Sequence, residues 1–155
     1  MKKQTKTLLI CLAIPLAAGG LSALISGGMS GYSQLNQPPL SPPGWVFPVV
    51  WSILYLLMGY AAYRIYTSGK DARQIRTALI AYGVQLFLNF LWSPVFFGLQ
   101  WRLTAFLLLI LLWIAVFVTM RLFTGLDQKA ADLLLPYLLW VTFAGYLNLG
   151  AFLLN

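Results

Sequence analysis

The sequence predicts an all-α membrane protein, a single bundle of five transmembrane helices spread over all 155 residues. Three observations predict it. Hydrophobic residues make up 61% of the chain and charged residues only 8%, whereas a soluble domain carries about 25% charged residues to face water. Five apolar stretches, near 8–26, 45–66, 78–98, 103–123 and 133–154, run 19 to 22 residues each, enough at about 1.5 Å per residue to cross a bilayer core of about 30 Å. The basic residues gather at alternate ends of those stretches.

The first stretch follows MKKQTK, and its basic start and apolar run have the look of a signal peptide. The apolar character continues through Ile25, which is long enough to span, so it reads as an uncleaved first helix. Small residues crowd it: Ala13, Ala17, Ala18, Gly19, Gly20, Ser22, Ala23 and Ser26. Such faces let helices approach closely in lipid, and serve packing within the bundle or a dimer contact equally well.

The loop that follows, GGMSGYSQLNQPPLSPPG, is longer than the other connections and carries no charge. Prolines at 38, 39, 42 and 43 stiffen it. It reads as a stiff, uncharged cap over an apolar opening. The later connections are short, giving an up-and-down bundle, and Pro15, Pro94 and Pro136 are expected to bend or start helices.

With the N-terminus on the cytoplasmic side, Lys2, Lys3, Lys6, Arg64, Lys70, Arg73, Arg76, Arg121 and Lys129 fall inside and Arg102 alone outside. This is a strong positive-inside asymmetry, and it puts the first loop and the C-terminus on the outer face. The net charge of +7 thus orients the chain in a membrane and does not mark a nucleic-acid partner. Cys11 is the one cysteine and histidine is absent, which removes an intrachain disulfide and the commonest metal and proton-shuttling ligand. No Asp, Glu, Lys or Arg lies near the centre of a span. Ion-coupled transport, acid–base hydrolysis and metal catalysis all lack their parts.

Neutral polar and aromatic groups remain. Gln85 and Asn89 share a face of the third helix with Tyr82, Trp92 and Phe96. The fifth carries Tyr137, Trp140, Ala144 and Asn148, and the second Trp51, Tyr55 and Met58. Amides in hydrocarbon need partners, so these faces are expected to turn inward. Either the amides bond one another and lock the bundle, or they orient a ligand. Trp45, Trp101 and Trp92 lie near span ends, where an interfacial belt would place them; Trp51 and Trp140 lie deeper and read as pocket residues. A cleft so walled suits a large, flat, mostly apolar ligand.

The runs PPLSPPGWVFPVVWSILYLLMGYAAY, YGVQLFLNFLWSPVFFG and PYLLWVTFAGYLNLGAFLLN, in this order, resemble the translocator protein family, also called tryptophan-rich sensory proteins or peripheral benzodiazepine receptors. The resemblance covers essentially the whole chain as one domain. It implies a bacterial member in the cytoplasmic (inner) membrane, with five helices, a homodimer and a ligand cavity under the first loop. The implied ligands are protoporphyrin-like tetrapyrroles and synthetic isoquinoline carboxamide or benzodiazepine-type compounds. No cofactor is required, porphyrin being ligand or substrate. Carried over by position, Tyr32, Pro42, Trp51, Asn89, Trp92, Trp140, Phe143, Ala144 and Leu147 would line the pocket, joined by Tyr55, Gln85 and Asn148 from the face analysis. Trp51 and Trp140 match tryptophans linked in bacterial relatives to light- and oxygen-dependent porphyrin breakdown, the enzyme-like alternative to simple binding; transport of apolar ligands is another. Two departures stand out. No basic residue follows Lys129, so the C-terminal cholesterol pattern of animal members is absent, the loose match at Leu57, Tyr60 and Arg64 carrying little weight. Ser41 stands where some relatives carry histidine.

Overall fold

The computed structural model describes residues 2–27 and 35–155. Apolar runs with all backbone groups bonded internally are the form a chain must take in lipid, and helices follow one another along the chain: α1 Lys2–Ile25, α2 Val46–Tyr66, α3 Ala72–Ser93, α4 Arg102–Thr124, α5 Gln128–Leu133 and α6 Leu135–Leu154. With the segment that continues α3, and with α5 joined to α6, five are long and apolar enough to cross a membrane. Leu24, Phe87, Leu139 and Leu153 point outward, as side chains solvated by lipid do.

Three boundaries differ from the sequence reading. α1 begins at Lys2 and α3 at Ala72, both earlier than their apolar stretches; at α3 the Asp71 carboxylate accepts from the Gln74 N–H at 3.3 Å and sets the start. The last span is broken near its beginning. α5 is a short helix, capped where Asp127 accepts from the Lys129 N–H at 3.0 Å, and α6 restarts with Pro136 in its first turn. Proline has no N–H and disfavours a helical residue before it, so the chain resets there.

Pro94 has a different effect. From Pro94 to Gly98 the helix widens into a π turn, with the Leu99 N–H reaching back to the Pro94 carbonyl at 2.9 Å. The chain then reverses tightly, and Gln100 takes the left-handed backbone conformation, φ 60°. Pro15 lies inside α1 and is itself buried.

α1 packs on α2 and α3, α3 on α4, and α4 on α6, while α5 wedges between α2 and α4. The α1–α2 approach needs glycine. A Cβ on Gly59 would stand 2.5 Å from the Cys11 carbonyl oxygen, and one on Gly19 would overlap the Tyr55 ring. Ser22 Oγ donates to the Phe90 carbonyl at 2.7 Å and Ser26 Oγ to Ser93 Oγ at 2.9 Å, tying α1 to α3.

The main buried core lies toward one end of the bundle, and the cavity of about 520 Å³ toward the other. Met58, Ala61 and Ile65 of α2, Ala78 of α3, Leu112, Val116 and Phe123 of α4, Leu134 between α5 and α6, and Tyr137 and Val141 of α6 are buried together. These lie in the half of the bundle nearest α5. There the Arg64 guanidinium meets Asp127 at 2.9 Å. Burial alone pushes the Asp127 carboxyl up, but the bonds from Arg64 and from the Lys129 and Ala130 N–H groups outweigh it and hold it below the usual carboxylate range.

At the other end the described part of the first loop is strapped to α6. Pro38 is buried against Gly150, where a Cβ would overlap its ring. The Tyr146 hydroxyl donates to the Pro39 carbonyl at 2.6 Å, and Asn155 exchanges hydrogen bonds with the Asn36 backbone at 2.9 and 3.2 Å. Leu40 has φ 71°, a strained value for a branched side chain.

Candidate functional site

The larger cavity, about 520 Å³, lies between α1, α2 and the outer part of α3. The α2 wall is Phe47, Pro48, Trp51, Ser52 and Tyr55; α3 and its π turn contribute Asn89, Trp92, Ser93 and Phe97; α1 contributes Leu16, Gly19, Gly20, Ser22 and Ala23. Every polar group among these is neutral. A helix places residues three and four apart on one face, which is why Trp51 and Tyr55 reach the cavity together, as do Asn89, Trp92 and Ser93.

The floor is a hydrogen-bonded chain across three helices. Tyr55 Oη donates to Asn89 Oδ1 at 2.8 Å, Asn89 Nδ2 to Tyr137 Oη at 2.8 Å, and Tyr137 Oη to Gln85 Oε1 at 2.6 Å. The chain ends where Gln85 Nε2 faces Met58 Sδ at 3.9 Å. Gln85 is 1% exposed and Asn89 6%, so only Asn89 keeps an edge toward the hollow. A buried network with its members partnered rigidifies what it joins.

A much smaller void of about 30 Å³, room for about one water, lies under the loop strap. Pro38, Ser41, Ala144, Leu147 and Asn148 line it, and Phe47, Trp92 and Phe97 stand between it and the larger cavity, lining both. Trp92 is stacked on Phe96 with ring centroids 5.1 Å apart. Its Nε1 donates to Asn148 Oδ1 at 2.9 Å, and Asn148 Nδ2 donates to the Arg102 carbonyl at 2.9 Å.

The sequence reading placed one shared hollow between the second, third and fifth spans. The structure divides that space and gives α1 a wall. Trp51, Tyr55, Asn89 and Trp92 line the larger cavity; Ala144, Leu147 and Asn148 line the smaller one with Trp92. Gln85, Trp140 and Phe143 line neither of the two. Gln85 is used up in the floor. Trp140 packs behind the wall, its ring 5.8 Å from Phe47, 6.4 Å from Trp51 and 5.5 Å from Phe143, and its Nε1 is buried without a partner among the described residues. Phe47, Trp92 and Phe97 make the division, and Asn148 holds Trp92 in place while donating to the Arg102 carbonyl. Pro42 lies in the strap, and Tyr32 lies outside the described residues.

Several lining residues escaped the sequence reading. Leu16, Gly20 and Ala23 repeat at helical spacing on α1, within the run of small residues read as packing or dimer contact. Phe47 and Phe97 flank residues that were singled out.

The chain is similar to known proteins along its whole length. "Tryptophan-rich protein TspO" of Chlorobaculum tepidum is 37% identical over 157 residues, covering 100% of this chain and 99% of that one. "Protein CrtK" of Rhodobacter capsulatus is 40% identical over 138 residues, 89% of this chain and 86% of its own. "Translocator protein" of Bos taurus is 36% identical over 138 residues, 87% and 82% respectively. Residues 11–154 match the TspO/MBR family, and with five membrane-spanning helices and relatives along its whole length the chain belongs to that family of multi-pass membrane proteins.

Proposed function

We propose that this protein binds flat, mostly apolar tetrapyrroles of the protoporphyrin type, and takes part in porphyrin handling or a stress response. The observation that carries the reading is the larger cavity: about 520 Å³, walled by Phe47, Trp51, Tyr55, Trp92 and Phe97, with the Asn89 amide at its floor. Small-molecule sites typically measure about 300–1,000 Å³, mostly apolar with a few placed polar groups. Aromatic faces stack on a macrocycle, and the Asn89 edge with Ser22, Ser52 and Ser93 offers bonds to its polar rim. The same cavity suits isoquinoline carboxamide or benzodiazepine-type compounds. The basic end, with α5, faces the cytoplasm of a bacterial inner membrane in this reading, because nine of ten Lys and Arg residues gather there.

Titration of the purified protein with protoporphyrin, followed by tryptophan fluorescence, tests it. Quenching with a dissociation constant of about micromolar order is expected, weakened at least severalfold by Asn89→Leu and by Trp51→Phe. Unchanged affinity in both variants would discredit this cavity.

A second reading, breakdown of the bound porphyrin by light and oxygen, is favoured by the cluster behind the wall. Trp51 lies 5.6 Å from Tyr55, 6.2 Å from Tyr137 and 6.4 Å from Trp140, ring centre to ring centre. Dioxygen would be the oxidant and these oxidisable rings its radical partners. Equal product in darkness, or equal product from Trp51→Phe with Trp140→Phe, excludes this reading and leaves binding intact.

A further inference from the structure

Arg102 is the one Lys or Arg at the loop end of the bundle, and no Asp or Glu of the sequence lies at that end. The three acidic side chains of the whole sequence are Asp71, Asp127 and Asp132. Asp71 opens α3 and the other two flank or lie in α5, all at the opposite end, about 30 Å away along helices of more than 20 residues. Among the described residues the one ion pair joins Arg64 and Asp127, so none of these three side chains pairs with Arg102.

The guanidinium is nevertheless held. Its Cζ lies 5.3 Å from the Phe96 ring centre, and its Nε is buried with no hydrogen-bond partner among the described residues. That Nε is shut off from the surroundings, so the donors an outside acceptor would meet are those of the two outer guanidinium nitrogens. The side chain borders an open groove of about 430 Å³ between the start of α4 and the end of α6. Gln100, Thr104 and Asn155 supply further polar groups there, while Trp101, Leu103 and Phe152 supply exposed apolar surface. The Trp101 side chain does not cap α4, and its first turn carries no acid, so no acidic side chain of α4 itself competes for that end of the helix.

We propose that this groove holds the phosphate of an anionic phospholipid. Arginine matches phosphate geometry through its planar fork of donors. The groove lies at a helix boundary, where lipid headgroups lie, and an exposed tryptophan beside it is the usual interfacial anchor. The groove brings together a cation, polar groups and exposed apolar side chains, the three kinds of partner that a phospholipid's headgroup and acyl chains need. A net negative headgroup supplies the charge that no acidic side chain provides at this end, so phosphatidylglycerol should be preferred over phosphatidylcholine.

The test uses the full chain in nanodiscs of phosphatidylcholine, into which phosphatidylglycerol with brominated acyl chains is titrated. Bromine quenches nearby indoles, and subtracting the Trp101→Phe signal isolates Trp101. The expected result is quenching of that component at about tenfold lower mole fraction of brominated phosphatidylglycerol than of brominated phosphatidylcholine. Arg102→Gln should abolish the preference, Arg102→Lys should keep part of it, and Arg121→Gln, which removes the same charge at the other end, should leave it unchanged. Arg102 holds the bundle through its backbone carbonyl, bonded to Asn148, so these variants keep that tie; unchanged near-ultraviolet circular dichroism checks it. Equal quenching by the two lipids in the parent protein, or an undiminished preference in Arg102→Gln, overturns the proposal. Displacement by millimolar inorganic phosphate also overturns it, since the groove would then take any phosphate and not a lipid.

Discussion

Asn89 and Tyr137 meet across the α3–α6 interface, the amide nitrogen donating to the phenol oxygen at 2.8 Å, and each holds a second partner on another element. Asn89 also accepts from Tyr55 of α2, and Tyr137 donates to Gln85. Two residues thus fasten three helices beneath the larger cavity.

Removing Asn89 leaves the Tyr55 and Tyr137 hydroxyls short of partners in a buried site. Each stranded polar group costs about 1–3 kcal/mol, so Asn89→Ala is expected to destabilise by about 2–4 kcal/mol. Tyr137→Phe, which removes one hydroxyl and leaves two amides unmet, should be similar, and the double variant should cost less than the sum because the two share one bond. Thermal unfolding in a mild detergent reads all three.

Gly59 allows α1 to lie against α2. The Cβ of Gly59→Ala would press at 2.5 Å on the Cys11 carbonyl, a backbone atom that cannot rotate away, so α1 must shift. A loss of about 1–3 kcal/mol is expected. Gly83 has open space around its Cβ position, so Gly83→Ala should raise stability slightly by helix propensity. The contrast, measured by unfolding midpoint, checks that the contact and not the loss of a glycine matters.

Gln100 turns the chain between α3 and α4 with φ 60°. Left-handed backbone costs a residue with a Cβ about 1 kcal/mol or more, and glycine adopts it freely. Gln100→Gly is expected to hold or raise stability, by up to about 1 kcal/mol, whereas Gln100→Val should lower it. Equal midpoints for the two variants would count against the strained turn.

The pH dependence follows from Asp127. Its carboxyl is held below the usual range, so the stability it contributes is present above the unfolded value of about 3.9 and is lost as pH falls through the lower folded value. Asp127→Asn should remove that acid-side decline and lower neutral-pH stability by up to about 1 kcal/mol, as for a partly exposed ion pair. Unfolding midpoints between pH 6 and pH 3 compare the two.

Much of this was legible in one dimension. Apolar run lengths and the lack of charge specify five spans, because hydrocarbon admits a chain only as a helix or a closed barrel. Gln85, Asn89 and Asn148 could be placed on inward faces, because an amide facing lipid is costly. In the structure Gln85 and Asn148 are consumed in locking helices together, while Asn89 locks and also lines the larger cavity. The break at Pro136 and the π turn at Pro94 follow from a missing N–H, although which distortion each proline would produce was not readable.

Tertiary structure alone decided which helices are neighbours. In lipid, apolar faces do not discriminate between partners, so nothing in the α1 sequence says whether Gly19, Gly20 and Ala23 face another copy of the chain, a packed core or a void. The close approaches at Gly19 and Gly59 against α2, and the serine bonds to α3, seat α1 as a cavity wall. Likewise, the register of α6 against α3 and α4 made the Arg102 carbonyl the second partner of Asn148 and set Trp140 behind Trp51. Hydropathy along the chain determines that a segment crosses the membrane; only shape and hydrogen-bond register between segments determine which side chains share a space.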